Sequence, residues 1–165
     1  MILGWTYEQK RMFPEALAEL RTAVQLSGDA PLTLASYGHA LAASGDRRGA
    51  GEVLEKLLAL AKARYVSAYD IAIVYAGLGD RERAFHWLDQ AQRERSSFLP
   101  YITWDRRADN LRSDARFHLL LQRLGLRQTE SAALRRDGAA AVIAAARLQR
   151  SALTRLAVPE PQGGR

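Results

Sequence analysis

The sequence predicts an all-α solenoid of helix-turn-helix units, closed on its C-terminal side by a capping helix. Three observations lead to this prediction. Small and apolar residues recur at an interval of 34 residues, apolar residues within each copy lie three and four apart, and Gly-Asp pairs separate the segments. Spacing of three and four is the helical period, and a fixed interval of roughly 20 to 50 residues indicates repeated supersecondary units.

Five positions keep this interval through three successive copies. The positions in register are Gly4, Gly38 and Ala72; Tyr7, Leu41 and Tyr75; Ala16, Ala50 and Ala84; Leu20, Leu54 and Leu88; and Ala23, Leu57 and Ala91. Agreement at five positions favours a true repeat over an ordinary helical bundle with accidental periodicity.

A turn joins the two predicted helices of each copy. Gly45 and Gly79 follow a first helix, where a residue with left-handed backbone geometry commonly ends a helix. Asp46 and Asp80 come next, and an aspartate there can cap the following helix. The small residue of the first helix and the repeated alanine of the second allow the two helices to approach closely. The three copies are placed at about residues 1–30, 31–64 and 65–97.

The shared positions resemble the consensus of the tetratricopeptide repeat (TPR) family over about residues 1–95. The first copy departs from it, because the bulky residue that the family carries in its first helix would precede Met1. Repeat arrays need a polar outer face at each end, whereas the opening "MILGW" is apolar. We therefore expect a fragment of a longer protein, or a relative that pairs through this end as a homodimer.

The segment after the third copy is similar to the end of one group of TPR proteins. Residues 65–102 lead into residues 104–126, "WDRRADNLRSDARFHLLLQRLGL". Together they resemble the C-terminal repeat region of bacterial multidomain proteins that carry a serine/threonine kinase or a winged-helix DNA-binding domain. The matching residues are Asp105, Arg107, Asp109, Leu111, Arg112, Ser113, Asp114, Arg116 and Phe117. Other residues replace the prolines of that pattern, which should leave the turns less rigid.

Residues 98–126 are predicted to form a C-terminal cap. Ser113 or Asp114 can cap a last helix, whose apolar side chains would bury against the third copy. These side chains are Phe117, Leu120, Leu121 and Leu124. The charges of "WDRRAD" are interpreted as alternating helix caps and solvated arginines, not as a site.

Composition indicates a soluble, cytoplasmic protein. Cysteine is absent, the N-terminus has no secretory signal pattern, and the longest apolar run, "GAAAVIAAA", is far shorter than the roughly 20 residues that span a bilayer. The net charge is +6. From residue 127 onward seven arginines accompany three acids, which gives +4 and leaves +2 for residues 1–126. The basic character is therefore mostly a property of the tail.

The sequence carries no recognisable catalytic or metal-binding pattern. His39, His86 and His118 lie on different predicted elements, without an HExxH motif, paired carboxylates or a Cys/His cluster. Phosphate-binding glycine loops and a nucleophile elbow are missing too. The prediction is a protein that is not an enzyme and needs no metal or cofactor.

The TPR resemblance implies a concave binding groove lined by the first helix of each copy. Carried over by register, the groove positions are Trp5, Glu8, Gln9, Leu32, Ala35, His39, Ala42, Ala43, Val66, Tyr69, Ile73, Ala76 and Gly77. The Lys, Asn and Arg with which some relatives clamp a peptide's C-terminal carboxylate do not occur there. We expect a floor of small apolar residues edged by Trp5, His39 and Tyr69, which suits an apolar helix of a protein or peptide partner. Alternatively, upstream repeats or the chain's own C-terminus cover these positions.

Residues 127–165 form an Ala/Arg-rich tail. The stretch "RDGAAAVIAAARLQRSALTRLA", residues 136–157, has the composition of a helix, although isolated helices of this length are marginal in water. Disorder or a loosely docked helix, a helix docked in the chain's own groove, and a basic surface for nucleic acid or membrane remain open.

The function indicated is a non-catalytic protein–protein interaction module. The resemblance implies the C-terminal scaffolding or regulatory part of a bacterial signalling or transcription-regulating protein. The alternative is association with nucleic acid or a membrane surface through the basic tail.

Overall fold

In a computed structural model of the chain, residues 1–126 are described. Their elements are seven α-helices, α1 (Ile2–Gln9), α2 (Phe13–Leu26), α3 (Pro31–Ser44), α4 (Arg47–Ala61), α5 (Ala68–Gly77), α6 (Arg81–Arg93) and α7 (Ala115–Arg123), and two 3-10 helices, Leu99–Thr103 and Arg106–Leu111. The all-α prediction is confirmed for this part of the chain, which holds no strand. None of these helices has the length and apolar character needed to cross a membrane. The helix predicted over residues 136–157 lies outside the described residues.

The helices pack as successive neighbours along the chain. Helix α1 contacts α2, α3 contacts α4, and α5 contacts α6, while α3 also packs against α2 and α5. Helix α5 is the most enclosed element, with every residue from Ala68 to Ala76 buried. The second 3-10 helix packs against α5 as well. This contact brings the C-terminal segment of residues 1–126 onto the predicted first helix of the third copy.

Glycine in the first helices permits the predicted close approach. A Cβ added at Gly4 would lie 2.6 Å from Leu20 Cγ, and one added at Gly38 would lie 2.9 Å from Val53 Cγ1. Both distances are shorter than normal carbon contacts. The alanines in register at the partner helices, Ala16 and Ala50, are fully buried. The predicted reason for small residues at these positions is therefore confirmed.

The predicted turn chemistry is present as well. Gly45 and Gly79 have φ values of 96° and 74°. Asp46 accepts a hydrogen bond of 2.9 Å from the Gly49 backbone N–H. Asp80 accepts one of 3.0 Å from that of Arg83. A side chain can satisfy one of the donors that a helix start leaves unpaired, so these aspartates define where α4 and α6 begin.

The cap contains the last helix that the sequence predicts and two 3-10 helices that it does not. Asp114 accepts a hydrogen bond of 3.0 Å from the Arg116 N–H at the start of α7. Six of the seven buried apolar side chains of the cap lie at multiples of three residues from one another, which matches the three residues per turn of the two 3-10 helices. They are Leu99, Ile102, Ala108, Leu111, Phe117 and Leu120, while Leu121 in α7 lies outside this series. The same period places Asp105 between Ile102 and Ala108.

Candidate functional site

A cleft of about 590 Å³ lies between α1, α3, α5 and the two 3-10 helices. Six aromatic side chains line it: Trp5, Phe13, Tyr69, Phe98, Tyr101 and Trp104. A volume of roughly 300–1,000 Å³ with an apolar lining and a few polar groups is typical of ligand-binding pockets. The cleft is therefore the candidate functional site.

The predicted groove residues separate into two groups. Trp5, Glu8, Gln9, His39, Ala43 and Tyr69 line the cleft. Leu32, Ala42 and Gly77 are partly exposed and Ala35, Val66, Ile73 and Ala76 are buried, but none of these lines it.

The C-terminal cap covers one of the predicted groove positions, Ala76. Asn110 Nδ2 donates a 2.6 Å hydrogen bond to the Ala76 carbonyl, so the cap covers this turn of α5. Among residues 1–126, it is the chain's own C-terminal segment that occupies part of the predicted groove. The side chains that were expected to face a partner at Ala35, Ile73 and Ala76 instead pack inside the protein.

The floor of the cleft is charged, which corrects the expectation of a small-residue apolar floor. Glu8 Oε1 and His39 Nδ1 are both buried and are hydrogen-bonded to each other. His39 Nε2 lies 3.2 Å from the Arg107 backbone carbonyl, which can only accept a hydrogen bond. Nε2 therefore donates this hydrogen bond. These contacts connect α1, α3 and the second 3-10 helix.

Asp105 is the centre of a second group of contacts. Its Oδ1 and Oδ2 accept hydrogen bonds of 2.9 and 2.7 Å from Nε and Nη2 of Arg107. Tyr69 Oη donates to Oδ2 at 2.8 Å. Burial alone would raise the pKa of the Asp105 carboxyl, but the bonds and charge of Arg107, together with the Tyr69 hydroxyl, lower it below its usual range. Burial and the Asp105 charge raise the pKa of Tyr69. The Asp105 carboxylate is therefore a stable anion, held by the side chains of Arg107 and Tyr69.

Arg107 connects this group to α1 and α3. Its guanidinium carbon lies 4.9 Å from the centre of the Trp5 ring, a cation–π distance. Arg107 Nη1 donates to Ser36 Oγ at 3.3 Å. The interpretation of both adjacent arginines as solvated is wrong for Arg107, whose side chain is 15% exposed. It holds for Arg106, which is 66% exposed.

Asp70, on α5 beside this group, is buried as well. Burial raises the pKa of its carboxyl to about 6; the Arg107 charge opposes that rise and the Asp105 charge adds to it. The Asp70 carboxylate therefore titrates nearer to neutral pH than an exposed aspartate.

The outer wall of the cleft is aromatic and exposed. Phe98, Tyr101 and Trp104 are 43%, 63% and 50% exposed. Phe98 precedes the first 3-10 helix, Tyr101 lies within it and Trp104 follows it. Their spacing of three residues places them on one side of this segment, while Leu99 and Ile102 are buried in the core. Large exposed aromatic side chains that lie together commonly mark a binding surface.

Sequence reasoning missed this wall and the Asp105–Arg107 pair. The signal that could have found them is the three-residue period of the cap, in which Phe98, Tyr101 and Trp104 share one phase. The buried phase contains two acids, Asp105 and Asp114. Asp114 caps α7, whereas an acid placed like Asp105 between apolar residues needs a buried partner. Helical spacing of three and four obscures both patterns.

No family model matches the chain, and searches of curated proteins and of solved structures find no match either. Within the described residues, no three His, Cys, Asp or Glu side chains are grouped so that they could hold a metal ion.

Proposed function

We propose that this chain is a non-catalytic protein-binding module and that the cleft receives an extended or helical segment of a partner protein. The observation that carries the proposal is the aromatic wall of Phe98, Tyr101 and Trp104, which is exposed beside a cleft of about 590 Å³. Aromatic side chains are enriched at the energetic centres of protein interfaces, because they bury a large area at a low cost in conformational entropy.

The charged groups of the cleft support binding over catalysis. A general base needs a carboxylate or imidazole that is free to take a proton from a substrate. Asp105 is instead held by Arg107 and Tyr69. Glu8 and His39 are paired with each other, and the remaining ring nitrogen of His39 is bonded to a backbone carbonyl. These groups fix the position of α1, α3 and the cap around the cleft.

We further propose that the helix pairs are TPR units. The 34-residue register supports this, because positions in register carry the same local role in more than one pair. Gly4 and Gly38 both allow close helix contact. Gly45 and Gly79 both have left-handed backbone geometry, and the aspartate after each caps the next helix. The resemblance of residues 104–126 supports a C-terminal scaffolding or regulatory role within a bacterial cytoplasmic signalling or transcription-regulating protein.

Peptide selection on the full chain tests the binding function. Peptides would be selected from a phage-displayed random library, and the affinity of each enriched peptide would be measured by fluorescence anisotropy. Tyr101→Ala removes an exposed ring of the cleft wall and should weaken binding by about tenfold or more. Tyr65→Ala is the matched control, because Tyr65 is similarly exposed, at 70% against 63%, and does not line the cleft.

The comparison of the two tyrosine variants decides the outcome. Loss of affinity in Tyr101→Ala with retained affinity in Tyr65→Ala supports the cleft as the binding site. A library that yields no enriched peptide, or peptides that bind both variants as they bind the wild type, contradicts the proposal. Tyr69→Ala is less suitable as a test, since Tyr69 is 2% exposed and its removal also disturbs the fold.

A further inference from the structure

The turn of the first helix pair has an arginine where the other two pairs have glycine. Arg11, Gly45 and Gly79 are separated by 34 residues each. All three have left-handed backbone geometry, with φ values of 58°, 96° and 74°. The residue after each closes the turn with the same backbone hydrogen bond, of 2.9 Å from Met12 to the Tyr7 carbonyl in the first pair. The backbone of the turn is thus conserved through the three pairs while the side chain differs.

The arginine is an unfavourable choice for the fold alone. A residue with a Cβ is strained in the left-handed region, where glycine is not. Within residues 1–126, the Arg11 side chain does not offset that strain with a polar contact. It is exposed and forms no hydrogen bond or ion pair with any residue in the 1–126 range. A strained residue without a structural contact is a reason to look for a functional one.

Arg11 lines the cleft, and the acids of the cleft are already paired. Glu8 is bound by His39 and Asp105 by Arg107. Asp109 Oδ1 accepts a 2.6 Å bond from Arg112 Nε, and its Oδ2 lies 3.6 Å from Arg106 Nε. Arg11 therefore adds a positive charge that no carboxylate in the described part of the chain neutralises. The cleft thus combines an aromatic wall with a cation that has no acidic partner among residues 1–126.

We propose that Arg11 binds the carboxylate of an aspartate or glutamate in the partner segment, next to a large apolar side chain that packs on the aromatic wall. The proposal rests on the proposed function and names the chemistry of its partner. A guanidinium can donate two parallel hydrogen bonds to a carboxylate, which gives both strength and orientation. An exposed position at a tight turn leaves both donor edges of Arg11 accessible.

The chain offers a matched control in Arg95. This arginine also follows a helix, has a φ of 53° and is exposed. Its side chain also forms no hydrogen bond or ion pair with another of residues 1–126, and it does not line the cleft. Arg11→Gly and Arg95→Gly therefore remove the same charge and relieve the same backbone strain, and only the first changes the cleft.

The experiment uses the full chain and peptides selected from the phage-displayed random library on the wild type. Enriched peptides should carry Asp or Glu beside a large apolar residue. Arg11→Gly should weaken their binding by roughly tenfold, whereas Arg95→Gly should bind with wild-type affinity. Tm should rise in both variants by about 2–4 °C, because glycine relieves the strain. Higher stability with lower affinity is the result that a merely structural role of Arg11 would not give.

The outcomes separate this assignment from the proposed function. Peptides that depend on Tyr101 but lack acidic residues, or that bind Arg11→Gly with wild-type affinity, overturn the assignment of Arg11 and leave the proposed function standing. A lower Tm in Arg11→Gly also counts against it, since the arginine would then support the fold. If no selected peptide depends on Tyr101, the proposed function fails and the assignment of Arg11 fails with it.

Discussion

The Tyr69 hydroxyl donates a 2.8 Å hydrogen bond to Asp105 Oδ2, joining α5 to the segment between the two 3-10 helices. Both groups are largely enclosed by protein. A buried acceptor that loses a donor keeps the cost of its desolvation, so this one bond has a measurable effect on stability.

Tyr69→Phe tests the importance of that bond. The substitution removes the hydroxyl and keeps the buried ring, so the Asp105 carboxylate loses one donor. We expect the free energy of unfolding to fall by about 1–2 kcal/mol in urea denaturation. Tyr37→Phe is the control, because Arg21 donates to the Tyr37 hydroxyl at 3.2 Å at an exposed site, and this change should have little effect. If the free energy of unfolding falls equally in the two variants, the buried Tyr69 bond contributes no more to stability than the exposed Tyr37 bond.

Asp70 should make stability depend on pH. Its pKa is raised from 3.8 to about 6 in the folded protein, so the folded state binds the proton more tightly than the unfolded state. Burial of the charged form is therefore a cost that is absent below about pH 3.8, grows between the two values and is complete above about pH 6.

Asp70→Asn removes this cost. We expect its free energy of unfolding to exceed that of the wild type by on the order of 2–3 kcal/mol at pH 7.5, with the difference shrinking toward pH 4. Urea denaturation at several pH values measures it. An Asn variant that is less stable than the wild type at pH 7.5 would mean that the attraction between Asp70 and Arg107 outweighs burial.

Substitution by alanine should change the stability in opposite directions at two glycines, Gly38 and Gly51. At Gly38 a new Cβ would lie 2.9 Å from Val53 Cγ1 and 3.3 Å from both Val74 methyl carbons, so Gly38→Ala should destabilise by about 1–3 kcal/mol. At Gly51, within α4, the new Cβ meets nothing within 4 Å. Gly51→Ala should therefore stabilise by roughly 0.5–1 kcal/mol through helix propensity. Thermal unfolding of both variants checks the signs, and a stabilised Gly38→Ala would disprove the close contact.

The start of α2 lacks the cap that α4 and α6 have. Met12 is in register with Asp46 and Asp80 and has a similar backbone, with φ −84° and ψ 68°, but no side chain caps this helix. Met12→Asp should therefore raise the free energy of unfolding by about 1 kcal/mol. Met12→Asn supplies the same acceptor without a charge near Glu15 and serves as the control. If neither variant unfolds at higher urea than the wild type, the turn does not accept this cap.

The helix pairs could be predicted from the sequence because their determinants are local. A glycine turn, a capping aspartate and a small residue at a helix crossing each act within one copy, and the copies repeat. The cleft depends on contacts between distant segments. Nothing near Arg107 in the chain indicates that it lies against Trp5 and Ser36, and its burial follows from packing of the cap on α5.

The sequence separation between His39 and Arg107 has a consequence for the order in which the protein folds during its synthesis. The hydrogen bond from His39 Nε2 joins residues that are 68 positions apart, whereas the helix pairs join neighbours. Domains are synthesised at about 5–20 residues per second, so several seconds separate the appearance of these two residues on the ribosome. Helices α1 to α4 can pair during that interval, but the floor and wall of the cleft are complete only after the cap has emerged. A nascent chain therefore completes the cleft late, after helices α1 to α4 have formed.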